Sequence, residues 1–228
     1  VEKAQLIKEK KIKKQKLLPP ISDEEKPFEL PEGWEWCRFA EYTVEIATGP
    51  FGSMINKREY ITDGIPLVNP SHMIDGRIVE DEQITVTKNK ADELTSYIIN
   101  KGDVVMARRG EMGRCAIVTN RENGWLCGTG SFALKFTAEV DRDFVFTMFS
   151  ANSTRRYLGG ESVGATMTNL NHGILNKMPL MIPPVKEQHR IVTKVNELFT
   201  LCDQLKERLR QNQRPQLLLT DTLVQEAL

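Results

Sequence analysis

The sequence predicts an α+β protein: a globular mixed α/β domain with a long C-terminal coiled-coil helix and a short N-terminal helix. Three observations lead to this fold class. Short apolar runs separated by Gly, Asn and Asp fill residues 34–180, which indicates short strands joined by loops. A heptad pattern follows in residues 184–228, and Lys-rich helix formers occupy residues 1–16. Residues 17–33, which contain four prolines, separate the first helix from the domain.

The composition is that of a folded protein with balanced charge. With 228 residues and 40% apolar side chains, the chain is long enough to bury a core. Lys plus Arg and Asp plus Glu each number 31, so net charge neither supports nor excludes DNA binding. The four cysteines form no CxxC pair, which favours reduced thiols, and no apolar run reaches the ~18 residues of a membrane span. We therefore expect a cytoplasmic protein without a membrane partner.

The first 33 residues are expected to be a helix and a linker. Residues 1–16 hold seven Lys and two Glu, and such a run favours a marginal helix with a solvated basic face. Nucleic-acid contact is the minority interpretation. Because the chain opens directly on this stretch, we expect it to come from a longer parent. Pro19, Pro20, Pro27 and Pro31 then favour an extended linker, since proline restricts itself and the residue before it.

The domain is predicted to be built mainly of short strands. Helices are expected at residues 89–97 and at residues 143–156, where Phe144, Met148 and Ala151 recur at helical spacing. Pro183 and Pro184 end the last strand, and Pro184 is well placed to begin the long helix. Strands are predicted at residues 43–47, 65–68, 83–87, 103–107, 115–119 and 132–136.

The C-terminal helix carries a narrow apolar seam at alternating spacings of four and three. Mostly polar or charged residues lie between the seam positions, so one face of the helix favours a partner helix, and homodimerisation through it is possible. Pro215 falls inside the continued pattern, which predicts a kink or break at residues 212–215. The seam consists of Ile191, Val195, Leu198, Cys202, Leu205 and Leu209.

The sequence contains no catalytic constellation. The three histidines have no partner at metal or catalytic spacing, and neither HExxH nor GxSxG occurs. Gly128-Thr129-Gly130 is too short for a phosphate loop and favours a tight turn. Glu24-Glu25-Lys26 resembles the end of a nuclease carboxylate motif but lies in the Pro-rich segment. We therefore expect no catalytic residue, no metal ligand and no cofactor in this chain.

A glycine-rich turn with three arginines is the strongest candidate for anion binding. Gly110 and Gly113 bracket the turn, and Arg108, Arg109 and Arg114 surround it. The planar guanidinium group donates in pairs to phosphate oxygens and guanine edges. The equally weighted alternative is that an individual arginine pairs with a nearby acid such as Glu111 or Asp103.

Other polar side chains extend this candidate DNA surface. Turn formation explains each of them separately, whereas their number suits the reading of base edges. The candidate phosphate contacts are Lys57, Arg58, Arg108, Arg109, Arg114, Arg155 and Arg156. The candidate base-reading residues are Ser53, Asn69, Ser71, Ser131, Thr168 and Asn169.

Taken together, these stretches resemble the specificity subunit of type I restriction-modification systems. The similar half is the second target recognition domain with the C-terminal conserved helix. The Pro-rich linker, LPEGW and the PPxxEQxRI start of the long helix occur in the family's order. The matching stretches are KIKKQKLLPPISDEEKPFELPEGWEW (11–36), TGPFGS (48–53), GDVVMARRGEMGRCAIV (102–118), GTGSFALKF (128–136), GATMTNLNHGIL (164–175) and MPLMIPPVKEQHRIV (178–192).

The resemblance implies a non-catalytic reader of double-stranded DNA. In such subunits two recognition domains bind the halves of a split site, and antiparallel helices fix their distance. Modification subunits would bring S-adenosylmethionine, and restriction subunits would bring ATP and Mg. On this basis residues 1–16 are the end of the central conserved helix, residues 34–180 the recognition domain, and residues 184–228 the conserved helix. Only one recognition domain is present, so we expect a fragment or a half-subunit that pairs with another copy.

Two other functions compete with DNA reading. A coiled-coil assembly or adaptor protein, whose domain binds protein, would agree with the neutral charge and the clear seam. A metal-dependent nuclease would need carboxylates that converge beside the arginine turn.

Overall fold

The computed structural model describes residues 2–9, 18–160 and 169–226, and side chains up to residue 213. The chain divides into two compact units, Val1–Val185 and Lys186–Leu228, which are described separately below. Seven helices and eleven strands are found in the described residues. The α+β class predicted from the sequence is confirmed. Residues 10–17, like residues 161–168, lie outside the described part of the chain.

Helix α1 (Glu2–Lys8) uses one lysine to bind the domain. The Lys3 ammonium group donates to the carbonyl oxygens of Ala40 and Thr43, each at 2.5 Å. These carbonyls belong to the end of α2 (Phe39–Tyr42), where the helix dipole favours a cation. Burial lowers the pKa of Lys3, and Glu41 opposes that effect. Within the described residues 2–9, Lys3 of the face predicted to be solvated thus contacts the domain.

Arg38 fastens the Pro-rich segment to the domain. Arg38 is 5% exposed and lies at the end of β1 (Glu35–Arg38). Nη1 and Nη2 donate to the two carboxylate oxygens of Glu25, at 2.5 and 2.7 Å. The same group donates to the carbonyl oxygens of Pro19, Pro20 and Lys177. Glu25 is held in place by a single helical turn, Asp23–Glu25, in an otherwise extended segment.

Strand β1 pairs with the last strand of the domain, so the start and the end of the domain close on each other. The partner is β11 (Pro179–Ile182), antiparallel, with Arg38 opposite Pro179. The amide of Phe39 donates to the carbonyl of Met178 at 2.9 Å. This contact continues the pairing into α2, which carries the Phe39 ring into the core.

A four-stranded antiparallel sheet forms the centre of the domain. Its order is β2 (Glu45–Thr48), β10 (Ser131–Lys135), β7 (Val104–Ala107) and β8 (Cys115–Ile117). Alternate side chains point to opposite faces: Phe132 and Leu134 pack among the helices, whereas Ala133 packs in a second cluster. The helices on the first face are α2, α4 (Arg142–Ser150), α5 (Asn152–Leu158) and α6 (His172–Lys177).

A smaller mixed sheet and a hairpin lie on the other face. The three-stranded sheet has the order β6 (Thr85–Val86), β3 (Ile65–Val68), β9 (Leu126–Cys127), with β3 and β9 parallel. Strand β4 (Met73–Ile74) and strand β5 (Arg77–Ile78) form the hairpin. Helix α3 (Lys88–Glu93) follows β6 and packs Ala91 into a third cluster with Leu67 and Val86.

The elements differ from the sequence prediction at two helices. The helix predicted at residues 143–156 is divided at Ala151, whose backbone is extended (φ −67°, ψ 137°), into α4 and α5. Helix α7 (Val185–Glu226) runs without interruption through Pro215. A break at residues 212–215 is therefore wrong, because one lost backbone hydrogen bond does not end a helix of this length, while a kink stays a prediction.

Replacing Arg38 should destabilise the domain. Arg38→Lys should lower the free energy of unfolding by about 3 kcal/mol, because one ammonium group cannot replace the five donors of a buried guanidinium. Arg77→Lys, on an exposed strand position, is the matched control and should change it by less than ~0.5 kcal/mol. Urea unfolding followed by circular dichroism measures both, and equal effects would show that the Arg38 contacts contribute little.

The same contact gives a pH dependence. The hydrogen bond from Arg38 lowers the pKa of Glu25 from 4.5 to about 2. A folded-state pKa below the unfolded one means that the stabilisation is present above pH 4.5 and is lost as the pH falls through about 2. The loss of stability over this window should be smaller in Arg38→Lys than in the unsubstituted chain.

Candidate nucleic-acid interface

The polar loops singled out in the sequence meet at one edge of the four-stranded sheet. Because neighbouring strands are antiparallel, the ends of β2 and β7 and the starts of β10 and β8 share that edge. The end of β3 joins it, since the amide of Gly128 donates to the carbonyl of Val68 at 3.0 Å. We call this surface the glycine edge and define it as residues 49–53, 69–71, 108–114, 128–130 and 169–172.

Two glycines allow the loops of the glycine edge to touch through their backbones. A Cβ atom on Gly49 would lie 2.0 Å from the carbonyl oxygen of Gly128, and one on Gly128 would lie 2.3 Å from Oδ1 of Asn69. The Thr129 hydroxyl donates to the carbonyl of Pro50 at 3.0 Å. The loops after β2, β3 and β9 therefore form one surface.

Arg108 is held inside the edge. Its Nε donates to the carbonyl of Leu170 at 3.2 Å, and the Leu170 amide donates back to the Arg108 carbonyl at 2.8 Å. The guanidinium lies 4.9 Å from the centroid of the Phe132 ring, a cation–π geometry. Burial, and then Arg109, lower the pKa of Arg108. This arginine fastens residues 169–172 to the end of β7.

Glu111 is the ion-pair partner of two candidate phosphate-binding arginines. Arg114 donates to Glu111 Oε2 from Nε and Nη2, at 3.1 and 2.8 Å. Arg155 Nη1 lies 2.7 Å from Glu111 Oε1. The hydrogen bond from Arg114 is the main reason that the pKa of Glu111 is lowered. Arg114 and Arg155 are therefore both held by Glu111 within the domain, and for Arg114 this is the pairing with a nearby acid that the sequence left open.

Arg109 is the exposed cation of the glycine edge. Within residues 2–9, 18–160 and 169–213, its side chain makes no hydrogen bond or ion pair. Its neighbour Gly110 has φ +79° and open space around it, so the turn projects outward. Arg156 is also exposed and has an interaction of its own.

Lys57 and Arg58 lie next to α3 instead. They form a helical turn, Lys57–Glu59, whose Glu59 pairs with Lys90 of α3 at 2.9 Å. Since β6 ends beside the start of β3, α3 follows at the end of β3 opposite Asn69. Both cations are exposed, but they extend a different part of the surface from the arginine turn.

One base-reading candidate is corrected by the structure. Ser131 is fully buried, with 0% exposure, and its hydroxyl donates to the carbonyl of Val68 at 3.2 Å. It contributes to the close approach of β10 and β3 and cannot reach a base. Asn69 is half-buried, with its Oδ1 beside Gly128. Ser53, Ser71 and Asn169 are exposed, and Thr168 lies outside the described residues.

The sequence did not predict the contacts that His172 makes within the glycine edge. Its ring packs edge-on against Phe132, with centroids 5.1 Å apart, and its Nε2 lies 2.5 Å from Oγ1 of Thr48. Burial and the nearby Arg108 lower the pKa of His172. Its position just after Asn169 and Asn171 was the only signal in the sequence, because the contact with Thr48 spans 124 residues.

Charge is sorted between the two ends of the four-stranded sheet. The glycine edge holds three Arg and one Glu. The opposite end, taken as residue 45 and residues 101–103, 119–122 and 135–143, holds six acidic and four basic side chains. A chain of zero net charge thus presents one basic edge, which is the arrangement expected for an anion-binding face.

The described residues hold no metal centre. No group of three or more His, Cys, Asp and Glu side chains there has the geometry of a metal site. Glu25, from the carboxylate motif considered above, is paired with Arg38. Among the described helices, none is long and apolar enough to cross a membrane.

A comparison with protein families identifies the chain. The family model for the type I restriction modification DNA specificity domain matches residues 44–213, which include the whole glycine edge. The chain belongs to this family. The match begins after α2, covers the rest of the globular unit and extends into the first part of α7.

Curated relatives agree with the family. The chain is 32% identical over 235 residues to the type I restriction enzyme EcoEI specificity subunit of Escherichia coli, covering 100% of this chain and 39% of that subunit. It is 32% identical over 237 residues to the EcoAI specificity subunit of the same organism, covering 100% of this chain and 38% of that subunit. The chain therefore spans about two fifths of the length of these relatives.

Solved structures show the same fold. The crystal structure of the HsdS subunit from Thermoanaerobacter tengcongensis matches with a TM-score of 0.61 at 21% identity, covering 85% of this chain and 49% of that one. A structure that addresses complex assembly and conformational transition of a type I R-M system matches with a TM-score of 0.57 at 20% identity, covering 79% of this chain and 42% of that one.

The backbone contact at the glycine edge predicts that alanine substitutions at two of its glycines have very different effects on stability. Gly49→Ala should lower the free energy of unfolding by roughly 2–3 kcal/mol, because the added methyl group would overlap a backbone carbonyl. Gly52→Ala is the matched control: a Cβ there meets no described atom within 4 Å, and stability should be unchanged. Thermal unfolding measures both, and a stable Gly49→Ala protein would contradict the close approach.

Proposed function

We propose that this chain is the sequence-reading module of a type I restriction-modification enzyme, and that its glycine edge reads one half of a bipartite DNA site. The observation that carries the proposal is the exposed Arg109, which has no partner among the described residues, on the basic edge of a DNA specificity domain. Phosphate contacts orient a protein on the duplex, whereas base contacts give sequence specificity.

The two kinds of contact divide among the loops. Arg109 is the principal phosphate contact. Arg156 follows Arg155, which pairs with Glu111 of the arginine turn, whereas Lys57 and Arg58 lie in a more distant zone that a longer duplex would reach. Ser53, Ser71 and Asn169 are the exposed short side chains that read bases. Arg108, Arg114 and Arg155 shape the loops through contacts within the domain, so they act on DNA mainly by holding the surface in place.

The long helix suits the role of a spacer. At about 1.5 Å per residue, the 42 residues of α7 extend roughly 63 Å. Its seam side chains Leu198, Leu205 and Leu209 are exposed, Leu209 by 61%, and so is Cys202. Phe199 and Leu201 widen this apolar surface beyond the predicted seam. We infer that a second conserved helix, from the same parent subunit or from another copy, covers this face.

The chemistry then belongs to other subunits. Modification subunits bearing S-adenosylmethionine would methylate adenine in the site, and restriction subunits bearing ATP and Mg would translocate and cleave DNA. The chain itself acts without a catalytic residue. An adaptor that only assembles subunits is the second candidate, since the exposed face of α7 would serve either function.

Exchanging the domain distinguishes these two functions. In cells that carry the full parent subunit and its modification partner, residues 34–180 are replaced by a homologous recognition domain, and genomic methylation is mapped. We expect one half of a split methylated motif to change while the other half stays. A motif unaltered by the exchange, with methylation retained, would favour the adaptor.

Arg109→Ala tests the phosphate contact directly. In the assembled modification enzyme, the substitution should weaken binding to all duplexes alike and reduce the slope of log K against log salt by about one unit. Lys101→Ala removes the same charge just before β7, at the opposite end of the strand, and should leave the slope unchanged. Fluorescence anisotropy titrations at several salt concentrations measure both. An unaltered slope in Arg109→Ala would exclude the contact.

A further inference from the structure

An acidic pocket lies beside the β4–β5 hairpin, outside the arginine turn. Its lining includes His72, Ile74, Val79, Glu80, Asp81 and Glu82. The hairpin is anchored to the domain through the amide of Ile117, which donates to the carbonyl of Gly76 at 3.2 Å, and the amide of Val79 donates to the carbonyl of His72 at 2.8 Å. The walls of this pocket are therefore fixed by backbone contacts.

A buried histidine nitrogen faces the pocket without a partner. His72 is 7% exposed, and its Nδ1 lies 3.0 Å from the carbonyl oxygen of Leu67 and 3.3 Å from the amide of Asn69. The Leu67 carbonyl can only accept, whereas the Asn69 amide can only donate; because the carbonyl is closer, we assign the ring proton to Nδ1. The lone pair of Nε2 is then directed towards Asp81 at the pocket wall, and among the described residues this buried nitrogen has no hydrogen-bond partner.

A second acceptor stands next to this nitrogen. Oδ2 of Asp81 lies 3.9 Å from His72 Nε2, too far for a hydrogen bond between them. Oδ1 of Asp81 already accepts from the amide of Gln83 at 3.0 Å. A donor placed about 2.9 Å from both Nε2 and Oδ2 would satisfy the two acceptors together, and a positively charged donor would gain most.

The charge and the rim of the pocket favour a basic amphipathic side chain. Glu80 and Glu82 are exposed and form no ion pair with any described residue. The lining contains no Lys or Arg from the described part of the chain. Ile74 and Val79 are each about half exposed at its border. Lysine and arginine bury their aliphatic stems against such surfaces while their charged ends reach an acid.

We propose that this pocket binds a lysine or arginine side chain of a protein subunit that assembles with the specificity chain. The charged end donates to Asp81 Oδ2 and His72 Nε2, and the stem packs against Ile74 and Val79. This is a binding site beyond the reading of DNA. Three adjacent carboxylates repel phosphate, so the duplex is disfavoured here, although Ser71 of the glycine edge borders the pocket.

Neutralising the pocket in the full parent subunit tests the proposal. Asp81→Asn keeps an acceptor for the Gln83 amide but removes the charge, and Glu80→Gln with Glu82→Gln removes the other two. Binding to the purified modification and restriction subunits is measured by isothermal titration calorimetry at low and moderate salt. Asp81→Asn should weaken binding to one subunit about ten-fold, with a smaller effect at higher salt.

Glu139→Gln is the matched control, because Glu139 is an exposed acid on a loop at the far end of the sheet, and it should leave binding unchanged. Unaltered affinity of the pocket variants for both subunits would overturn the proposal. The proposal would also be overturned if these substitutions changed the methylated motif but left assembly unaltered. That result would indicate that the pocket carboxylates accept from the cytosine amino group. In the proposed outcome the methylated motif stays the same, so failure of this site is distinguishable from failure of the DNA-reading function.

Discussion

The guanidinium of Arg38 joins three parts of the domain that are far apart in the chain. A buried cation is costly unless every donor finds an acceptor. Here the five N–H groups reach a carboxylate and three carbonyls, contributed by the Pro-rich segment and by the residue two before β11. The contact fixes the end of β1, and β1 leads directly into α2 and the Phe39 core. The sheet that carries the glycine edge is packed on that core.

The balance between paired and exposed arginines determines what the glycine edge can bind. A single glutamate, Glu111, accepts from both Arg114 and Arg155, so these two cations are held within the domain and one of their two charges is balanced. Arg108 is retained by a carbonyl and an aromatic ring. The exposed positive charge of the turn is therefore concentrated at Arg109, and the contacts of Arg108 and Glu111 hold the turn in place. Under the proposed function, such a localised charge orients the duplex, and sequence specificity comes from the uncharged side chains around it.

Local patterns in the sequence predicted much of the fold. The strand at residues 65–68 was predicted at its observed bounds, and the α+β class follows from the periodicity of short apolar runs. The candidate site was harder to predict from the sequence, because its contacts join residues far apart in the chain. The Arg155–Glu111 pair spans 44 residues and the Ser131–Val68 contact spans 63. No local pattern distinguishes the buried Ser131 from the exposed Ser53, since both are small polar residues beside a glycine.

The touching backbones of Gly49 and Gly128 have a consequence for how new specificities arise. Two loops that contact each other through their main chains depend on each other, because a change in the backbone path of one loop removes a contact that holds the other in place. Recombination between relatives would therefore succeed when the whole recognition domain is exchanged, and would fail when single loops are transplanted. Point substitutions at outward positions, such as those around Gly52 and Gly110, leave this support intact. The loop tips should therefore accept substitutions more readily than the two touching glycines beneath them.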